Sequence, residues 1–384
     1  MNHPFVIKLP KNKNIELNEK KENIIFSPVL TYPLLTLGFH SYIHRTRSAM
    51  EITKNLQTKT KFYYVVNPFE TDISNYEDDI KNSTKLYFKS NDVSTDFLKI
   101  WEMFFIFDII NKNIKNVYIN SSSNIDEILD AYTDKLGLKF KINLVKEKGK
   151  SKESKSLDLI ICNTELKSET DIPDNFIEQY FYKEFISHTL SILNNLNNEG
   201  NAIVKFYDSL SLATIKIIYI LSTFFEDSLV YKPFTSRHSD SERYLILKNF
   251  KGTKNSDKII KILESIYNNY DDNKKKYVQD ILPDLDIPKE WMNIFKFINI
   301  RLVNNQQIMI NEIVKYIKEN NYFGDKYHIF RDKQIESSNW WIKNFYPPSE
   351  NVYQKNKEDL DKLYKATQEK LNLESQKFSE ILTN

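Results

Sequence analysis

From residue 157 to residue 250 the chain reads LDLIICN (157–163), NFIEQYFYKEFISHTLSILNNL (175–196), NAIVKFY (201–207), SLATIKIIYILSTFF (211–225), SLVYK (228–232) and RYLILKNF (243–250). Short runs of β-branched and aromatic residues alternate with longer runs whose apolar residues recur at helical spacing. That alternation is the mark of an α/β, doubly wound sheet. The rhythm continues upstream, where FLKIWEMFFIFDII (97–110) predicts a helix and NVYIN (116–120) a strand. A helix over about 123–136 follows, with Asp126, Glu127 and Asp130 in its early turns, where carboxylates suit the helix dipole. Residues 91–252 are therefore read as one domain.

On either side the pattern changes. Residues 1–90 mix apolar patches, FSPVLTYPLLTLGF (26–39) and KFYYVVNPF (61–69), with a charged stretch from Thr71 to Lys85, and are read as an α/β extension. Residues 253–384 are polar and helical, with WMNIFKFINIRL (291–302) and QQIMINEIVKYIKENN (306–321) as periodic segments. Leu360, Tyr364, Thr367, Leu371, Phe378 and Ile381 recur near heptad spacing, which suits docking of the last helix on the protein's own core. Inside the central domain, VKEKGKSKESKS (145–156) has the composition of a solvated surface connection.

Composition narrows the class of protein. An apolar content of 41% rules out a disordered chain, and the longest apolar run, about Ile215–Phe225, is too short and interrupted to span a bilayer. The beginning, MNHPFVIKLPKNKN, lacks the apolar region of a secretory signal, and one cysteine, Cys162, cannot build a disulfide framework. A reducing, intracellular setting is expected. With 54 basic against 52 acidic residues there is no global basic footprint, so any nucleic-acid contact has to be local.

The residues that stand out chemically lie at strand ends. Lys205 follows Ile203 and Val204 in a strand, and KPFTSRHSDSERY (232–244) leads through Glu242 into the next one. Lys99 sits in FLKIWE on an amphipathic helix. His40 and His44 share a helical face, but no third ligand stands near them and no metal site is expected. Trp291, Trp340 and Trp341 are read as packing residues rather than base-stacking platforms.

The segments FLKIWEM (97–103), KFYD (205–208) and KPFTSRHSDSERYLILKNF (232–250), in this order and spacing, resemble the FtsJ-like ribose 2′-O-methyltransferases, especially those of nucleocytoplasmic large DNA viruses, over about 92–252. GFHSYIHRTR (38–47) and VVNPFE (65–70) resemble the leader of giant-virus members. The resemblance implies a Rossmann-like methyltransferase sheet and S-adenosylmethionine as cofactor. It places Lys99, Lys205 and Glu242 at three positions of a Lys-Asp-Lys-Glu catalytic tetrad, and Asn163 at the position of its aspartate. Asn120, Ser121, Ser122, Ser123 and Asn124 fall where a glycine-rich turn meets the cofactor; no glycine is present. Asp158 begins the strand that Asn163 ends, some ~17 Å away at ~3.3 Å per residue, and cannot stand in for the aspartate.

In such a site a lysine acts as base only with a lowered pKa, which crowding by a second lysine is expected to supply. The implied partner is RNA, possibly capped mRNA, with Lys232, Ser236 and Arg237 toward its phosphates. Viral transcription or capping proteins are further implied partners, with the host cytoplasm or the virion as location. The alternative expectation is a catalytically inactive methyltransferase-fold scaffold or RNA- and protein-binding subunit.

Overall fold

The apolar residues of the central strands alternate between two faces of one sheet, and each face is covered by helices. The computed structural model describes residues 4–11, 15, 23–30, 37–53, 94–122, 125, 127–137, 141–145, 156–164, 175–252, 257–270, 276–319, 325–346 and 350–383. Strands β3 (Asn116–Ser121), β4 (Asn143–Val145), β5 (Leu157–Asn163) and β6 (Leu196–Tyr207) are parallel; β8 (Glu242–Phe250) pairs antiparallel with β6, and β7 (Phe225–Lys232) pairs antiparallel with β8 and so runs with the parallel set. Helices α2 (Thr95–Phe107), α3 (Ile128–Lys135), α4 (Ile177–Asn195) and α5 (Leu212–Thr223) alternate with them. The mixed sheet, flanked by helices, is the α/β architecture that the sequence pattern predicts.

Period-two alternation decides which residue faces where. Val117, Leu159, Ile161, Ile203, Tyr244 and Ile246 pack with α2 and α3 on one face. Ile160, Cys162, Ala202, Val204, Leu245 and Leu247 pack with α4 and α5 on the other. Lys205 has the parity of Ile203, which turns it toward α2. Ser94 caps α2 by accepting from the Phe97 amide, and Ser211 caps α5 by accepting from that of Thr214.

The flanking regions are built into this domain. Strand β1 (Phe5–Lys8) pairs antiparallel with β7, giving the order β1-β7-β8-β6-β5-β3-β4. Strand β2 (Ile24–Ser27) pairs instead with β9 (Tyr277–Ile281), which follows helix α6 (Asp257–Asn268). Helix α1 (Leu37–Ser48) packs on α7 (Lys289–Lys318). The two periodic segments of the C-terminal region, read separately, form this one helix of 30 residues. Helices α8 (Asp325–Phe345) and α9 (Glu350–Thr383) follow. Helix α9 lies on β1, α2 and α7, burying Leu360, Tyr364 and Leu371, whereas Ile381 stays exposed.

A buried ionic cluster fastens the pieces together. Arg47 of α1 donates to both oxygens of Asp208, at 2.7 and 2.9 Å, and to the Gln306 side chain of α7. Arg243 reaches Asp208 Oδ1 at 3.3 Å, Ser209 and Asn299. Asp208 holds a left-handed backbone (φ 55°) just beyond β6. Charged-residue segments 71–85 and 146–155 and the KFYYVVNPF patch lie outside the described residues.

Candidate active site

Lys99, Lys205 and Glu242, far apart in sequence, meet at one end of the sheet. Glu242 opens β8 opposite Tyr207 of β6, so its carboxylate lies beside the Lys205 side chain. Lys99 Nζ is 2.6 Å from Glu242 Oε1 and Lys205 Nζ is 3.2 Å from Glu242 Oε2. Asn163 ends β5, in register with Ser121 of β3.

A fourth charge is present that the sequence reading missed. Asp96, one turn before Lys99 on α2, has Oδ1 3.3 Å from Lys99 Nζ and 3.9 Å from Lys205 Nζ. Its other oxygen accepts from Asn163 Nδ2 at 2.9 Å, and Asn163 Oδ1 accepts from the Tyr244 hydroxyl at 2.9 Å. The signal for Asp96 was its i,i+3 spacing to Lys99. Asp158, as its place in the strand predicts, is at the other end, where Oδ2 accepts from the Lys115 and Asn116 amides.

The four charged side chains are between 1% and 8% exposed, so their charges act on one another with little screening. Glu242 is held well below the usual carboxylate range: burial alone would raise it, but Lys99, Lys205 and Lys232 outweigh burial. Burial likewise lowers Lys205, yet Tyr244, Glu242 and Asp96 raise it well above the ordinary lysine value. We assign the larger part to the two carboxylates, because a buried tyrosine whose own pKa is raised is neutral at pH 7. Lys99 is also raised, burial being overcome by Glu242 and Asp96. The expectation that crowding would lower a site lysine is therefore corrected: two carboxylates, not one, face the two ammonium groups.

Two of the three residues expected at RNA phosphates are turned inward. Lys232 is buried and donates to the carbonyls of Asp240 and Glu242, both at 2.9 Å, and burial lowers its pKa to about 8. Ser236 is buried and donates to Glu242 Oε1 at 2.7 Å. Both hold the β7–β8 connection in shape, and only Arg237 of the three is partly exposed. Glu102 anchors the same connection from α2, accepting from the Phe234 amide at 2.8 Å and from the Tyr231 hydroxyl, which also meets Tyr364 of α9. Burial raises Glu102 to about 7.

Asn120, Ser121 and Ser122 line the end of β3 and are at least partly open to solvent; Ser123 and Asn124 lie outside the described residues. Asn163 Nδ2 reaches Ser121 Oγ at 3.2 Å. The crevice beyond the carboxyl ends of parallel strands is where such sheets take ligands. Hydroxyl and amide groups there suit the polar end of S-adenosylmethionine. The sulfonium also needs a neighbourhood without a large excess of positive charge, and Asp96 with Glu242 offsets most of the charge of Lys99, Lys205 and Lys232. The residues present fit the cofactor.

His40 and His44 stack edge to face at 4.3 Å, and burial lowers His44 to about 4. Trp291 and Trp341 are buried.

Residues 95–250 match the model of the FtsJ-like methyltransferase family. The segment is an FtsJ-like methyltransferase domain. Over 349 residues, covering 90% of this chain and 91% of the relative, the chain is 22% identical to an uncharacterized protein of Acanthamoeba polyphaga mimivirus. Over 158 residues, 41% of this chain, it is 28% identical to the cap-specific mRNA (nucleoside-2′-O-)-methyltransferase 1 of Dictyostelium discoideum. A stretch of 72 residues, 19% of this chain, is 36% identical to a probable methyltransferase of African swine fever virus. The matches span 19% and 17% of the lengths of these last two proteins. Among the described residues no helix is long and apolar enough to cross a membrane.

Proposed function

We propose that the FtsJ-like domain transfers a methyl group to a ribose 2′-hydroxyl of RNA, with capped mRNA as substrate. The observation that carries this reading is the convergence of Lys99, Lys205 and Glu242, from one helix and two strands, on a single buried point beside the carboxyl ends of β3 and β5. S-adenosylmethionine supplies the methyl group when bound. Lys205, held by Glu242, is placed to orient the hydroxyl and, in its unprotonated fraction, to accept the proton released as the new C–O bond replaces the C–S bond. Lys99 keeps Glu242 ionised and in place. Burial of the cluster limits competing water. Arg237 and the polar edge at Asn120–Ser122 are the RNA- and cofactor-facing groups in this reading, and viral transcription or capping proteins are its partners at a virus factory or in the virion.

The test is incorporation of label from methyl-labelled S-adenosylmethionine into capped and uncapped RNA, with Lys205→Met as control. The expected result is alkali-stable 2′-O label on capped RNA, reduced ~10²- to 10⁴-fold in the variant. Label distributed equally between wild type and variant would sink the assignment.

One observation favours a second reading, a non-catalytic subunit that keeps the methyltransferase fold. Lys205 is 1% exposed and both its acidic neighbours are engaged elsewhere, as in a structural ion cluster. Calorimetric titration with S-adenosylmethionine and S-adenosylhomocysteine separates the two, since only the catalytic reading requires micromolar binding.

A further inference from the structure

We infer that Asp96 is the positioning carboxylate of this site and that Asn163 serves it as an amide, so that the asparagine is required rather than a lost acid. The inference rests on the catalytic reading for its kinetic consequences, while its structural part stands alone.

Asp96 uses both oxygens on the cluster. Oδ1 lies 3.3 Å from Lys99 Nζ and 3.9 Å from Lys205 Nζ, and Oδ2 accepts from Asn163 at 2.9 Å. Asn163, fully buried, is engaged at both ends of its amide: Nδ2 donates to Asp96 and Ser121, and Oδ1 accepts from Tyr244. An amide donates from one end and accepts at the other, which an ionised carboxylate, an acceptor at both oxygens, does not. A carboxylate at 163 would set an oxygen 2.9 Å from Asp96 Oδ2 with no proton between them, and two buried carboxylates that close cannot both stay ionised. Asp96 also sits in the first turn of α2, where the helix dipole favours the ionised form.

Four proteins decide the matter: wild type, Asp96→Asn, Asn163→Asp and the exchanged pair Asp96→Asn/Asn163→Asp. Methyl transfer is read as kcat, KM and a pH profile, and titration of Lys205 by carbon-13 NMR of labelled lysines. Asp96→Asn is expected to lower kcat ~10²-fold or more with KM for S-adenosylmethionine little changed, and to shift both the pH profile and the Lys205 titration to lower pH. Asn163→Asp is expected to lose activity as well, and the exchanged pair, which restores one acid and one amide in contact, to recover to within ~10-fold of wild type. A gain of activity in Asn163→Asp, or a Lys205 titration unmoved in Asp96→Asn, would overturn the inference. If wild type transfers no methyl group at all, the catalytic reading fails, and the lysine titration still decides whether Asp96 holds Lys205.

Discussion

Arg47 and Asp208 form a two-point ion pair across 161 residues of chain, with Nη1 to Oδ2 at 2.7 Å and Nη2 to Oδ1 at 2.9 Å, both side chains 1% exposed. Asp208 lies three residues beyond Lys205, so the clasp between the N-terminal helix and the sheet stands next to the candidate active site. Breaking a buried pair leaves its partner's charge poorly compensated, which costs about 3–5 kcal/mol. Arg47→Met is expected to lose stability of about that size, less whatever Arg243 recovers, in urea unfolding followed by circular dichroism.

Stability should also respond to Glu102. Its pKa in the folded protein is about 7, so between its ordinary value near 4.5 and 7 the folded state binds a proton that the unfolded state has released. Stability from this group is complete below 4.5 and declines as pH rises to 7, by about 1.4 kcal/mol per pH unit at most. Glu178, also raised to about 7 by burial, acts in the same direction, while His44 and His238, lowered to about 4 by burial, act in the opposite one. The difference between wild type and Glu102→Gln isolates the single group. Urea midpoints at pH 5, 6 and 7 should show wild type losing stability relative to the variant as pH increases.

The rate of methyl transfer should climb with pH. Lys205 is held protonated by Glu242 and Asp96, so the unprotonated base is scarce at pH 7 and grows tenfold per unit. A plot of log kcat/KM should rise with unit slope from pH 7 to 9 without levelling. A plateau beginning below pH 8 would mean that the proton goes to another group.

Tyr244→Phe removes the hydroxyl that fixes the Asn163 amide. The orphaned acceptor costs about 1–3 kcal/mol. Thermal unfolding should register that loss, and kcat should fall as Asp96 loses its aligned donor, while binding of S-adenosylmethionine by calorimetry stays near wild type.

The domain was legible because its strands are apolar on both faces: β5, β6 and β8 coincide with the hydrophobic runs to within a few residues. Strands of three to five residues, such as β1, β2, β4 and β9, carry too few side chains for a period to register, and none was anticipated. Lys205 and Glu242 stood out because charge is rare at the end of an apolar strand. Asp96 did not, since an acid in the first turn of a helix is already accounted for by the helix dipole. Lys232 misled for a related reason: a lysine in a Ser- and Arg-rich connection looks solvent-facing until the carbonyls of Asp240 and Glu242 are known to lie around its nitrogen.

The pairings of β1 with β7 and of β2 with β9 set an order of events during synthesis. Both early strands leave the ribosome well before the strands they join, and at roughly 5–20 residues per second β2 waits on the order of tens of seconds for β9. The edge of the sheet at β7 and the platform at β9 are therefore closed by segments made first and placed last. A chain made only as far as residue 250 therefore holds β2 without the strand it pairs with.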